Sequence, residues 1–151
     1  MAKTAKSSAE RPSEAVTSAW ARMVRVQQGL LESVETDLKK AGFPPLAWYD
    51  ALLELSRNEH GHMRPVELQD HMLLPQYSMS RLVDRMSEAG YVERMTCPVD
   101  GRGQFVGITA KGRALQKKMW DAYSASIQRH VGAKLSCAEA QTLLGLLGKL
   151  S

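Results

Sequence analysis

Residues 78–96, S-M-S-R-L-V-D-R-M-S-E-A-G-Y-V-E-R-M-T, change their hydrophobic period at Gly90, and that change decides the fold. Before it, Met79, Leu82, Val83, Met86 and Ala89 recur at three- and four-residue steps, which predicts an amphipathic helix with Gly90 as its C-cap. After it, Y-V-E-R-M-T (91–96) and Q-F-V-G-I-T (104–109) are rich in strand formers, and T-C-P-V-D-G-R-G joins them as a hairpin loop. Upstream, Pro65 suits the first position of a short helix, V-E-L-Q-D-H-M, because its fixed φ fits there and its missing N–H is not needed. L-L-P-Q-Y then breaks the chain, so two short helices flank a turn of helix-turn-helix length. Periodicity alone also admits an ordinary surface helix whose arginines pair with Asp84 and Glu88. The hairpin that follows at once favours a winged helix-turn-helix.

The flanks read as helices. Residues 1–12 are small, polar and charged and are predicted to be disordered. From Ser13, a plain N-cap, Val16, Trp20, Met23, Val24, Leu30, Leu31, Val34 and Leu38 mark a helix to about Lys40, with Gly42 as its stop. One stripe of so long a helix can pack on its own chain, and the rest suggests burial against a second copy. L-A-W-Y-D-A-L-L-E-L-S-R (46–57) predicts a second helix, and N-E-H-G-H-M a turn running into a short strand. A helix resumes at Ala110 and runs to about Val131, and Ser136 caps a last one, with Glu139 completing an S-x-x-E box. The expected order is helix, helix, helix-turn-helix, two-stranded hairpin, helix, helix. The fold class is mainly α with a small β-hairpin wing. The predicted divisions are a tail (1–12), an N-terminal dimerisation helix (13–43), a winged helix-turn-helix (44–109) and C-terminal dimerisation helices (110–151).

Bulk properties bound the function. A chain of 151 residues can bury a core without metal or disulfide staples. No apolar run is long enough for a bilayer, the N-terminus lacks the apolar centre of a secretory signal, and Cys97 and Cys137 form no C-x-x-C pair. A reduced, cytoplasmic setting without a membrane partner is expected. The net charge of +4 mildly favours an anionic partner. Residues 44–113 nevertheless carry eight Lys/Arg against nine Asp/Glu, so a diffuse basic surface does not explain this region. From Arg57 to Arg102 every basic residue is arginine, the type suited to forked contacts with phosphates and base edges.

These observations point to double-stranded DNA. At the start of the recognition helix, Gln76, Tyr77, Ser80 and Arg81 are expected to approach base edges, while Ser78 and Arg85 suit phosphates. No nucleophile elbow, zinc-protease motif or phosphate-binding loop is present, so an enzyme is not expected, nor a cofactor.

Three motifs in register carry a resemblance. They are R-L-V-D-R-M-S-E-A-G-Y-V-E-R (81–94), D-G-R (100–102) and I-T-A-K-G (108–112). Together the chain resembles the MarR (multiple antibiotic resistance regulator) transcription factors over nearly its whole length after residue 13. The resemblance implies a homodimer with interlocked terminal helices, one winged domain per subunit, and an inverted-repeat operator. It implies that Arg94 belongs to the DNA-binding set and that Arg102 enters the minor groove. Asp100 then steadies the wing, and Gly101 and Gly103 let it turn. Gly103 is also a departure, because members often carry a second basic residue there. A small aromatic or phenolic effector is implied, in a pocket that Trp20, Met23, Gln27, Trp48, Tyr49, His62 and Arg64 would line. Trp20 and Trp48 also read simply as core residues.

Other readings stay open. Cys97 at the wing base permits a redox sensor, although no nearby resolving cysteine is evident and Glu93 and Asp100 disfavour a thiolate. Cys137, two residues into the last helix, reads as a small core or interface residue. Glu59, His60, His62 and His71 supply donors for a metal, but their spacing is looser than that of a strong site, and solvated histidines are the simpler reading. A dimeric small-molecule binder without operator affinity is the alternative outside DNA binding.

Overall fold

Apolar residues at helical spacing form helices where their steps place them. The computed structural model describes residues 10–96 and 103–151. Its elements run α1 Glu14–Lys40, α2 Leu46–Arg57, β1 His62–Met63, α3 Pro65–His71, α4 Met79–Glu88, β2 Val92–Thr96, β3 Gln104–Ile108, α5 Ala110–Ile127 and α6 Cys137–Leu147. A π-helical stretch, Gln128–Gly132, follows α5. The chain clusters into two units, residues 1–32 and 33–151. The first contains the opening turns of α1, where Ser13 Oγ accepts from the Val16 amide at 3.2 Å and where Val16, Trp20, Met23 and Val26 are exposed. Residues 1–9 of the predicted tail lie outside the described residues.

The second unit holds the core. Leu38, Leu52, Leu55, Leu68, Val83, Met86, Val106 and Met119 have no exposed surface, which draws the last turns of α1, α2, α3, α4, β3 and α5 around one apolar centre. The predicted two-stranded hairpin has a third member. The sheet order is β1-β3-β2, all antiparallel, with His62 opposite Gly107 and Met63 opposite Val106. This pairing joins segments more than forty residues apart, and a two-residue strand has no period of its own to read.

Polar groups fix the joints. The α1 C-terminus closes with the Phe43 amide on Leu38 O and the Gly42 amide on Lys39 O, and Glu35 then reaches the amide of Leu46 at 3.1 Å, placing a carboxylate at the start of α2. Asp50, 5% exposed within α2, accepts from the Leu73 amide at 3.0 Å and the Leu74 amide at 2.7 Å. One buried carboxylate thereby holds the turn between α3 and α4. Ser78 caps α4 through the Arg81 amide, and Gly90 ends it at φ 83°, with the Tyr91 amide on Met86 O.

A clasp closes the wing. Thr109 Oγ1 donates to Gly90 O at 2.7 Å, the Thr109 amide donates to Tyr91 O at 3.1 Å, and Thr109 Oγ1 accepts from the Gly112 amide at 3.0 Å. A Cβ at position 112 would collide with the Tyr91 carbonyl oxygen, so α5 can begin here only on glycine. Lys111 completes the clasp, donating to Ala89 O at 2.7 Å with its ammonium 4.8 Å from the Tyr91 ring centre.

At the other end of α5, three donors meet on Asp37 Oδ2. Ser126 Oγ donates at 2.6 Å, Arg129 Nη1 at 2.8 Å, and His130 Nε2 lies at 2.9 Å. The wider π turn brings the consecutive residues Arg129 and His130 to the same oxygen. Ser136 and Glu139 form the predicted capping box of α6, at 3.0 and 3.1 Å. Nothing in the described chain covers α6, whose Leu143, Leu144, Leu146 and Leu147 are exposed.

Two outcomes follow for stability. Asp50→Ala should remove about 2 kcal/mol in urea unfolding, because it strips the Leu73 and Leu74 amides of a charged acceptor that is itself only 5% exposed. The Ser126 hydroxyl, then His130 and the charge of Arg129, hold the Asp37 carboxyl below its ordinary value of 3.8. Its stabilising contribution is therefore present above that value and is lost as pH falls through the lower folded pKa. Urea midpoints measured across the acid range should fall less steeply in Asp37→Asn than in the parent chain.

Candidate nucleic-acid interface

Burial of Met79, Leu82, Val83 and Met86 against the core turns the opposite face of α4 outward. That face carries Ser80, Arg81, Asp84, Arg85 and Glu88, all exposed. The pairing offered by the surface-helix reading does not form. Asp84 binds Arg94 of β2 at 2.6 Å, and among the described residues neither Arg81 nor Arg85 has an ion-pair partner. Two guanidinium groups are thus free on one helical face, one turn apart.

The residues expected at the start of the recognition helix are arranged differently. Gln76, Tyr77 and Ser78 precede α4 instead of lying on it. Tyr77 is fully exposed, and Gln76 Nε2 reaches Leu74 O at 3.4 Å. The Ser78 hydroxyl is engaged as the N-cap acceptor, which leaves only its proton to give to a phosphate.

Arg94, predicted as a DNA contact, spends its guanidinium on the protein. Besides Asp84, it donates to Gln104 Oε1 at 3.1 Å and to Ser80 O at 3.4 Å. Cys97, Asp100, Gly101 and Arg102 lie outside the described residues, and Gly103 immediately precedes β3. Cys137 is the first residue of α6 and is exposed, so it is not a core residue of the chain.

Within the second unit, the residues of the predicted effector set do not gather in one place. A cleft of about 680 Å³ lies between α2 and α5 at the end of α3, and of that set only Tyr49 lines it. Trp48 is the next residue on a helix that turns about 100° per residue, and it meets Tyr91 edge-on at 5.9 Å on another face of α2. His62 and Arg64 pack on Phe105 of β3, at 5.1 and 5.5 Å. Trp20, Met23 and Gln27 are exposed residues of the first unit.

The cleft wall is instead built from Tyr49, Trp120 and Tyr123. Trp120 stacks on Tyr49 at 6.1 Å, and Tyr123 meets Tyr49 edge-on at 5.1 Å. Gln116, Arg57, Glu54, His71 and Asp50 add polar groups. Burial raises the pKa of both phenols, so they face the cleft as neutral hydroxyls. Reading α5 alone, the i, i+3 pair Trp120 and Tyr123 was the available signal for this wall. His60 and His62 stack at 5.7 Å beside the sheet, whereas His71 and Glu59 border a separate hollow at the α2 C-terminus. Among the described residues, no three such donors converge on a point, and no helix is long and apolar enough to cross a membrane.

Known proteins share this arrangement. Residues 41–103 match the model of the MarR family. The multiple antibiotic resistance protein MarR of Salmonella typhimurium is 29% identical over 90 residues, which span 60% of this chain and 62% of that protein's length. The crystal structure of AbsC, a MarR family transcriptional regulator from Streptomyces coelicolor, superposes with a TM-score of 0.78 at 28% identity, covering 94% of this chain and 95% of that one. Sco3205, a MarR family transcriptional regulator from the same organism solved in complex with DNA, has the same fold, with a TM-score of 0.83 at 21% identity, covering 95% of this chain and 90% of that one. Through its winged helix-turn-helix the chain is similar to the MarR family over residues 41–103, and it shares the fold of that family's solved members over nearly its whole length.

Proposed function

We propose that the chain is a homodimeric regulator that binds an inverted-repeat operator in double-stranded DNA and acts as a repressor released by a small aromatic or phenolic effector. The observation that carries DNA binding is the outward face of α4, where Arg81 and Arg85 stand without ion-pair partners among the described residues. A helix so capped and so charged suits the major groove, with the wing reaching the flanking backbone. The DNA complex of Sco3205 supports the same use of the fold here. Arg81, Tyr77, Ser80 and Gln76 are the proposed base readers. Arg85, Ser78 and the wing residue Arg102 are the proposed backbone and minor-groove contacts.

Dimerisation is supported by apolar side chains that the chain leaves in water. Leu144 and Leu150 are about 70% exposed at the C-terminal end, and Trp20 is 66% exposed on α1. A two-fold axis would set two α4 helices about one DNA turn apart. The cleft between α2 and α5 supports the effector, since three aromatic rings and a few polar groups suit a flat ligand bearing a carboxyl or a phenol. Asp50 borders this cleft and also holds the α3–α4 turn, so a ligand there that favours one setting of the turn would shift α4 between populations.

A gel shift against the DNA upstream of the chain's own gene, titrated with salt, tests the reading. An inverted-repeat fragment should bind well above random duplex, and equal binding would overturn it. Arg81→Ala should lose about 1–3 kcal/mol of discrimination at one base pair, whereas Arg102→Ala should weaken all sequences alike and reduce the salt slope by about one. A hydroxybenzoate should quench tryptophan fluorescence in the parent chain and much less in Trp120→Phe.

A further inference from the structure

Asp84 is out of place on a surface meant for a polyanion. It lies on the exposed face of α4 between Arg81 and Arg85, its side chain 57% exposed, where a carboxylate repels phosphate. Its Oδ1 receives Arg94 Nη2 at 2.6 Å. The same guanidinium reaches Ser80 O on the first turn of α4 and Gln104 Oε1 on β3. Arg94 stands on β2 opposite Val106 and Gln104 stands opposite Thr96, so the two side chains are diagonal neighbours on one face of the wing. One cation therefore joins two points of the recognition helix to both strands of the hairpin.

We propose that Asp84 and Arg94 form a strut that fixes the wing's angle to the recognition helix, with Arg94 serving as a positioning residue and not as a phosphate contact. An isolated surface ion pair contributes little to stability, but a fork with several partners fixes geometry. Placement is what two DNA-reading elements on one rigid frame require. The strut also accounts for the carboxylate, because its charge is consumed by Arg94 while Arg81 and Arg85 stay free. This role rests on the DNA-binding reading above.

The two roles of Arg94 separate experimentally. The probes are the best duplex recovered from a randomised library by the full-length chain, and a random duplex of equal length. Asp84→Asn removes a negative charge, so electrostatics alone would tighten both. The strut requires about tenfold weaker binding to the selected duplex, with random duplex bound as well as before or better. Arg94→Lys keeps the charge but cannot fork, and should be as weak as Arg94→Gln. The Asp84→Asn/Arg94→Gln double variant should be no weaker than Arg94→Gln. In the free protein, amide exchange in β2 and β3 should quicken alike in Asp84→Asn and Arg94→Lys.

Wild-type affinity in Arg94→Lys, tighter selected binding in Asp84→Asn, or unchanged amide exchange in both would overturn the strut. Failure to recover any preferred duplex would overturn the DNA-binding reading, and amide exchange alone would then decide the strut.

Discussion

A single buried carboxylate organises the helix-turn-helix half of this molecule. Asp50 sits in α2 with almost no exposed surface, yet its two oxygens are committed to the amides of Leu73 and Leu74. Those amides belong to the turn that sets α4 against α3. A turn has no ladder of its own, so without this acceptor its two N–H groups would lose their partner within the fold. The helix that supplies the core residues Leu52 and Leu55 thus also dictates where the recognition helix begins. Core packing and the placement of the exposed face of α4 are one constraint.

From that anchor the remaining joints follow a common logic, in which a charged or hydroxyl side chain satisfies a helix end that sequence-distant packing leaves bare. Glu35 serves the start of α2, Thr109 the start of α5, and Ser136 with Glu139 the start of α6. At the far end of α5, Asp37 gathers Ser126, Arg129 and His130 and so ties the last turns of α1 to the π-helical stretch. The aromatic cleft runs along the seam of α2 and α5, with Asp50 in its lining.

What was legible in the sequence was what is local. Gly42, Gly90 and the Ser136–Glu139 box announce helix ends within four residues of themselves, and each does so in the structure. The change of period at Gly90 gave the wing, and the buried Met79, Leu82, Val83 and Met86 gave the face of α4. What was not legible depends on contacts between distant residues. Asp50 looks like any helix-surface aspartate until Leu73 and Leu74 arrive above it, and the short strand expected near Met63 shows its partner, β3, only in the fold. The two aromatic residues of α2 part for a related reason: Trp48 and Tyr49 are adjacent in sequence, but a helix sends neighbours to different faces, and Tyr49 lines the cleft while Trp48 meets Tyr91. Arg94 was placed in the DNA-binding set through the family motif, and only the fold reveals that Asp84 pairs with it.

The clasp at Gly90, Tyr91, Thr109 and Gly112 has a consequence for how this architecture can vary. Both ends of the hairpin are tied to each other and to helices on either side, so residues 92–108 leave and re-enter the body at one fixed doorway. Lengthening a loop closed in this way costs little additional entropy. The wing behaves as an interchangeable cartridge, whose length and sequence can be rewritten while the frame that receives it keeps its register.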